Sequence, residues 1–298
     1  MKLYYANLLS AKGLEKYLDY KLNILAAFPS FPKAGVERPP FCDSLFVDSG
    51  AFGKNSSKVT IAKYIQFLYD NKQKIDLYAN LDAIGNAKKT LENQRILEEA
   101  GLSPLPVFHY GSDEKYLHYY LERGYDYISL GGMVPISSSQ LCLWLDRIWA
   151  NYLTHKNGTP KVKIHGFGLQ IPSLIKRYPW YSVDASSVHV LARYGGILTP
   201  WGAVKINPNV NSKEVAYQIK TPQKFNKIKD FVNKHCPKNT TFEDAKKQDT
   251  KGIYIRCAIS INYLQEWISK EVCSRFQYTS KSLFKKEELK NCRSMIRG

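Results

Sequence analysis

The sequence predicts an α/β fold, a closed (β/α)8 barrel of the TIM type carrying a basic, mainly helical C-terminal extension. Three observations carry this reading. Short apolar runs alternate with amphipathic helical stretches about eight times over residues 1–206, and parallel strands joined by helices close readily into a barrel. The apolar runs are nearly continuous, the pattern of strands covered on both faces. Several end in an acid, a histidine or a glycine, at the strand ends where barrels assemble their active sites. An open doubly wound sheet fits the same alternation but gathers fewer of these ends around one point.

Taken in order, residues 2–6 form a first strand, and Leu14, Tyr17, Leu18 and Leu22 have helical spacing, which predicts a helix over 12–27. Residues 29–40 are a proline-bearing loop. Leu45-Phe46-Val47-Asp48 reads as a strand that delivers an acid, followed by Ser49-Gly50-Ala51-Phe52. A helix over 59–71 leads to a strand over 75–82 that ends in Asp82. The helix over 87–100 is stopped by Gly101, and the strand over 106–111 carries His109 and Gly111. A helix over 113–123 stops at Gly124, and the next strand, 127–132, ends in Gly131-Gly132. A serine-capped helix over 137–153 is followed by a strand over 162–168 containing His165-Gly166-Phe167-Gly168. A short helix over 171–178, a strand over 180–186 with Asp184, and a helix over 187–194 come next. Residues 197–206 are the predicted eighth strand, interrupted by Pro200.

The character then changes. Residues 213–251 are lysine-rich and polar, and an apolar helical pattern returns over 259–276 before a run from Lys281 to Arg297 with six basic residues. This predicts a barrel over 1–212 and a packed helical extension over 213–298.

The 298 residues are 44% hydrophobic, ample for one large core. Lys and Arg number 43 against 26 acids, a formal net charge of +17, which points to a polyanionic partner such as nucleic acid. The six cysteines are scattered without a C-x-x-C pair, the usage of reduced thiols in a cytoplasmic protein. The N-terminus lacks a long apolar run, which predicts no signal peptide, and no stretch approaches a membrane span.

Other chemistries fit poorly. In Gly50-Ala51-Phe52-Gly53-Lys54 the glycines are too close for a phosphate loop, and no Ser or Thr follows the lysine. The six histidines form neither H-x-H nor H-E-x-x-H, and the gaps between His235-Cys236, Cys257, Cys273 and Cys292 match no zinc spacing. No metal or other cofactor is expected.

Lined up along the chain, these strand ends resemble the tRNA-guanine transglycosylase superfamily. Asp48-Ser49-Gly50-Ala51-Phe52 stands for its Asp-Ser-Gly-Gly-Phe, Gly131-Gly132-Met133 for its Gly-Gly-Leu, and His165-Gly166-Phe167-Gly168 for its Met-Gly-Val-Gly. Asp184 matches its nucleophilic Asp and Asp82 its guanine-reading Asp, so the resemblance spans residues 44–190. The family's Cys-x-Cys-x-x-Cys…His zinc site has no counterpart, Gly53 replaces a Gln, and Asp184 sits in an Asp-Ala-Ser-Ser context. These departures are similar to the short, zinc-less branch that places 7-deazaguanines in DNA in phages and bacteria, the DpdA type.

The resemblance implies exchange of guanine in DNA for a free 7-deazaguanine such as 7-cyano-7-deazaguanine, in the cytoplasm, with tRNA a less favoured substrate. Asp184 would attack C1′, Asp48 or water would give the departing guanine its proton, and Asp48 would take that of the incoming base, the logic of a retaining glycosidase. Asp82 would accept from guanine N1–H and the 2-amino group, and the Gly132 N–H would donate to O6. Phe52 and Met133 would sandwich the flat base. Ser49, Gly131 and Gly166 complete the expected substrate contacts. His109 and His165 either position base and phosphate or are ordinary satisfied strand-end histidines. The rival readings are a tRNA transglycosylase, a DNA or nucleoside glycosidase, and a catalytically idle barrel that binds nucleic acid.

Overall fold

Eight parallel strands make the ring in the computed structural model, which describes residues 1–32, 34–51, 59–185, 187–207 and 222–272. They are β1 (Lys2–Ala6), β2 (Leu22–Ala27), β3 (Cys42–Asp48), β4 (Leu77–Tyr78), β5 (Val107–His109), β6 (Tyr127–Gly131), β7 (Lys163–Gly166) and β8 (Ser182–Ala185). The sheet runs β4-β3-β2-β1-β8-β7-β6-β5. Its two ends meet through a parallel bridge between Ala79 and Leu105. There the Asn80 N–H donates to the Leu105 carbonyl at 2.9 Å and the Leu105 N–H to the Tyr78 carbonyl at 2.8 Å. The ring therefore closes in chain order, as a (β/α)8 barrel does.

Helices α1 (Ile61–Asn71), α2 (Ala87–Glu99), α3 (Lys115–Glu122), α4 (Ser138–Ile148), α5 (Pro172–Arg177) and α6 (Ser187–Arg193) follow β3 to β8 in turn. Their apolar faces and the outward strand residues, among them Leu45, Val47, Ile128, Leu130, Ile164 and Val183, share one core. A second cluster, Tyr4, Ala6, Leu25, Phe46, Ala79, Leu105 and Val107, fills the barrel interior.

Two of the predicted elements differ. The helix expected over 12–27 is a 3₁₀ turn, Leu14–Tyr17, followed by strand β2. Leu22, Ile24 and Ala26 join the outer core while Leu25 joins the interior. This two-sided burial is a strand property that the helical spacing of Leu14, Tyr17, Leu18 and Leu22 masks. The eighth strand expected over 197–206 is an antiparallel hairpin outside the ring, β9 (Gly196–Thr199) and β10 (Gly202–Lys205). Pro200 and Trp201 form its turn, because proline fits a turn better than a central strand. The count of eight stands, with β2 in and the hairpin out.

Among the described residues no α-helix follows β1 or β2, and the last α-helix covers part of that gap. Helix α9 (Thr250–Trp267) begins earlier than the apolar pattern indicates, capped by Asp249, whose carboxylate accepts from the Gly252 N–H at 2.7 Å. Gln265 donates to the Tyr5 hydroxyl at 3.2 Å, and the Tyr20 hydroxyl donates to Asn262 at 2.7 Å. Cys257 and Ile261 enter the barrel's outer core. Ile255 and Ile259 enter a separate core with the hairpin, α7 (Pro222–His235) and α8 (Phe242–Lys246). Arg256, 1% exposed, donates from Nε to the Ala192 carbonyl at 2.8 Å and from Nη1 to the carbonyls of Ala245 at 2.6 Å and Lys247 at 2.7 Å. These carbonyls lie at the ends of α6 and α8, where a cation satisfies both the orphan acceptors and the helix dipole.

The expected boundary at residue 212 and the basic run from Lys281 fall outside the described residues. Among the described residues no helix is long and apolar enough to cross a membrane.

Candidate active site

The C-terminal ends of β3, β4 and β8 bring three carboxylates, Asp48, Asp82 and Asp184, to the mouth of the barrel, where the charges of Asp82 and Asp184 both act on Asp48. Burial pushes the Asp48 carboxyl up to about 7, the charge of Asp82 and then that of Asp184 add to the shift, and the backbone N–H groups of Gly50 and Ser49 oppose it. A carboxyl poised there holds and releases a proton at neutral pH.

Gly50 makes the turn after Asp48 possible. It takes a φ of 78°, and a Cβ there would come within 2.4 Å of the Pro29 ring. The turn sends the fully buried Ser49 hydroxyl to Asp82 Oδ1 at 2.9 Å.

Asp82 is gripped from both sides. Its Oδ2 lies 2.8 Å from His109 Nε2. The loop that carries it is pinned by a polar face of α2: Asn93 donates to the Leu81 carbonyl at 2.6 Å, and the Thr90 hydroxyl accepts from the Ala83 N–H at 2.9 Å. Thr90 and Asn93 are buried. Support of this kind holds a binding carboxylate in one geometry. Each carboxylate oxygen retains acceptor capacity for a ligand donor.

Asp184 is 6% exposed and accepts from the Gly168 N–H through Oδ1 at 2.7 Å. His165 Nε2 lies 3.4 Å from the same oxygen. Among the described residues both contacts fall on Oδ1. Below the acids, Tyr4, Phe46, His165 and Phe167 pack edge to face or tilted, with ring centroids 4.5 to 6.0 Å apart, and form a floor.

The remaining predicted residues divide. Gly131 lies beside His109, and Gly132, at φ 67°, continues past it, where a Cβ would lie 3.4 Å from the Tyr110 nitrogen. Gly166 packs instead against the Trp180 ring and Leu169. Met133, 3% exposed, belongs to the outer core and not to the interior cluster. Phe52 lies outside the described residues. Phe167, partly buried against the interior cluster, is the aromatic side chain at hand beside Asp184 and His165.

Sequence reasoning passed over Ser182, Tyr127, Gly168, Thr90 and Asn93. A signal for the first two is present. Alternate strand residues share a face, so Ser182 goes with Asp184, and Tyr127 with Ser129 and Gly131. Nothing in the local pattern marks Thr90 or Asn93, whose partners are carbonyls of a different element.

Among the described residues no three His, Cys, Asp or Glu side chains are grouped as metal ligands. A separate cavity of ≈ 1240 Å³ runs along the outer face of β1 and β8 against the hairpin and α7, and none of the predicted site residues lines it. No family model matches the chain, and no curated protein matches it.

Proposed function

We propose that this chain exchanges guanine in DNA for a 7-deazaguanine base through a covalent aspartyl intermediate. One observation carries the reading: three carboxylates share a barrel mouth in three different environments. Asp48 is raised to about 7, Asp82 is clamped by Ser49 and His109, and Asp184 accepts from Gly168 through Oδ1. Three carboxylates in such different environments can divide proton transfer, recognition and attack among them.

In the first half-reaction Asp184 Oδ2 attacks C1′ of the nucleotide. The bond from C1′ to N9 breaks, its electron pair goes to the purine, and protonated Asp48 supplies the proton. In the second, the incoming base gives its N9 proton to Asp48, N9 attacks C1′, and Asp184 leaves as carboxylate. Asp82 accepts from guanine N1–H and the 2-amino group. Adenine leaves that charge unpaired and is rejected. The target nucleotide must leave its stack to reach this depth. The net charge of +17 supports a nucleic-acid substrate.

The test is incubation of the protein with guanine-containing DNA, and separately tRNA, plus radiolabelled 7-cyano-7-deazaguanine. Label entering DNA, lost in Asp184→Ala and in Asp48→Ala, is the expected result. Label in tRNA alone moves the substrate to tRNA. Free guanine released without an acceptor base makes the protein a glycosidase. Neither label nor guanine removes the enzymatic reading.

A further inference from the structure

We propose that His165 is a positioning residue for Asp184, locked in its Nε2–H tautomer by Ser182 and Tyr127, and that it acts by resolving the covalent intermediate. The inference rests on the reading of Asp184 as the nucleophile.

The strand register builds the arrangement. Ser129 pairs with His165 and His165 with Ser182, so one interior row crosses β6, β7 and β8. His165 Nδ1 lies 2.6 Å from the Ser182 hydroxyl, which lies 2.5 Å from the Tyr127 hydroxyl. His165 and Ser182 are fully buried. Among the described residues His165 Nε2 is a buried nitrogen without a hydrogen-bond partner, 3.4 Å from Asp184 Oδ1. Among the described residues the aromatic rings packed against it are those of Tyr4, Phe46 and Phe167.

The proposed chain of hydrogen bonds runs from Tyr127 through Ser182 to His165. Burial raises the Tyr127 hydroxyl well above its usual range, so it keeps its proton, and in this direction it donates to Ser182. Ser182 then donates to Nδ1, and the ring carries its proton on Nε2, aimed at Asp184. The opposite direction puts the Nε2 lone pair against a carboxylate oxygen and leaves the Tyr127 proton without an acceptor. An N–H group at 3.4 Å tightens when charge grows on its partner.

Charge grows on Oδ1 at one step. In the covalent intermediate Oδ2 is bonded to C1′ and Oδ1 is the ester carbonyl. When the incoming base attacks, the C1′–Oδ2 bond breaks and its electron pair spreads onto Oδ1. The Gly168 N–H and the His165 Nε2–H both face that oxygen, as preorganised donors face a developing oxyanion. His165 therefore assists departure of Asp184 more than its attack.

The experiment uses the full chain in two readouts. Nitrogen-15 spectra of labelled histidine report the tautomer without substrate. Denaturing gels report the protein–DNA adduct during turnover with labelled 7-cyano-7-deazaguanine. The expected results are an Nε2–H tautomer, lost in Ser182→Ala, and a His165→Phe protein of wild-type circular dichroism whose kcat falls about a hundredfold while the adduct accumulates. His165→Gln, which keeps an N–H group, restores part of the rate. An Nδ1–H tautomer overturns the proposal, as does a folded His165→Phe with unchanged kcat and adduct level. A wild-type protein that forms no adduct with DNA or tRNA removes the proposed function and this role with it. Wild-type adduct with an indifferent His165→Phe removes this role alone.

Discussion

His109 Nε2 lies 2.8 Å from Asp82 Oδ2, and the ring is accommodated because residue 131 has no side chain. A Cβ at Gly131 would lie 3.1 Å from His109 Cδ2 and 3.2 Å from Val107 Cγ1. The two strands are in register at this point, His109 opposite Gly131. A glycine one strand away thus sets how the Asp82 carboxylate is held.

Gly131→Ala tests this directly. Overpacking of this kind costs about 1–3 kcal/mol, measured by urea unfolding. The displaced imidazole also weakens guanine binding, measured by the KM for the guanine-containing substrate. A variant of unchanged stability and unchanged KM would show that the ring does not depend on this gap.

Asp82→Ala should abolish base selection more than chemistry. On the proposed function, a carboxylate that reads two donors discriminates strongly against a base lacking them. The ratio of kcat/KM for guanine over adenine should fall at least about a hundredfold. An unchanged ratio would assign recognition elsewhere.

Asp48 links activity to stability. Its carboxyl is raised to about 7, well above the unfolded value of about 4. Between these values the folded protein holds a proton that the unfolded chain has released, so stability falls as pH rises through the interval and is level above it. The shift of about three units corresponds to at most about 4 kcal/mol. Asp48→Asn carries no such charge. Its stability relative to the wild type should grow from about pH 4 to about pH 7, read from urea midpoints at each pH, while exchange activity is lost. A constant difference across this range would argue against a buried, titrating Asp48.

Arg256 should be the costliest single truncation in the C-terminal layer. Arg256→Ala leaves the carbonyls of Ala192, Ala245 and Lys247 without their charged donor. The loss is about 3–5 kcal/mol, visible as a lower urea midpoint. Arg256→Lys recovers only part of it, because an ammonium lacks the planar fork that reaches several carbonyls at once.

Nucleic-acid binding, finally, should be steeply salt-dependent. With a net charge of +17, counterion release predicts a loss of about 10³-fold or more in affinity between about 50 and about 200 mM salt. Fluorescence anisotropy with a labelled duplex checks this, and a flat response would leave the charge without a polyanionic partner.

The barrel was legible because its signals are local. Continuous apolar runs, glycine stops and strand-terminal acids need only neighbouring residues to be read, and Asp48, Asp82 and Asp184 all emerge from them. Strand β2 was not legible: Leu22-Asn23-Ile24-Leu25-Ala26 is two-sided, and its burial depends on β1 and β3 lying on either side. The hairpin β9–β10 has strand composition, but whether such a strand enters the ring is decided by pairing, and β1 had already paired with β8.

The same division holds at the site. Composition and motif order determined which residue types stand at the strand ends. Only the tertiary structure decided their states. Burial and two neighbouring charges from other strands raise Asp48, a glycine on β6 makes room for the imidazole that holds Asp82, and the row Ser129–His165–Ser182 exists only in the register of three strands. Identity is a property of one residue. Ionisation, tautomer and orientation belong to the groups around it, and closing the ring brings those groups together from distant parts of the chain.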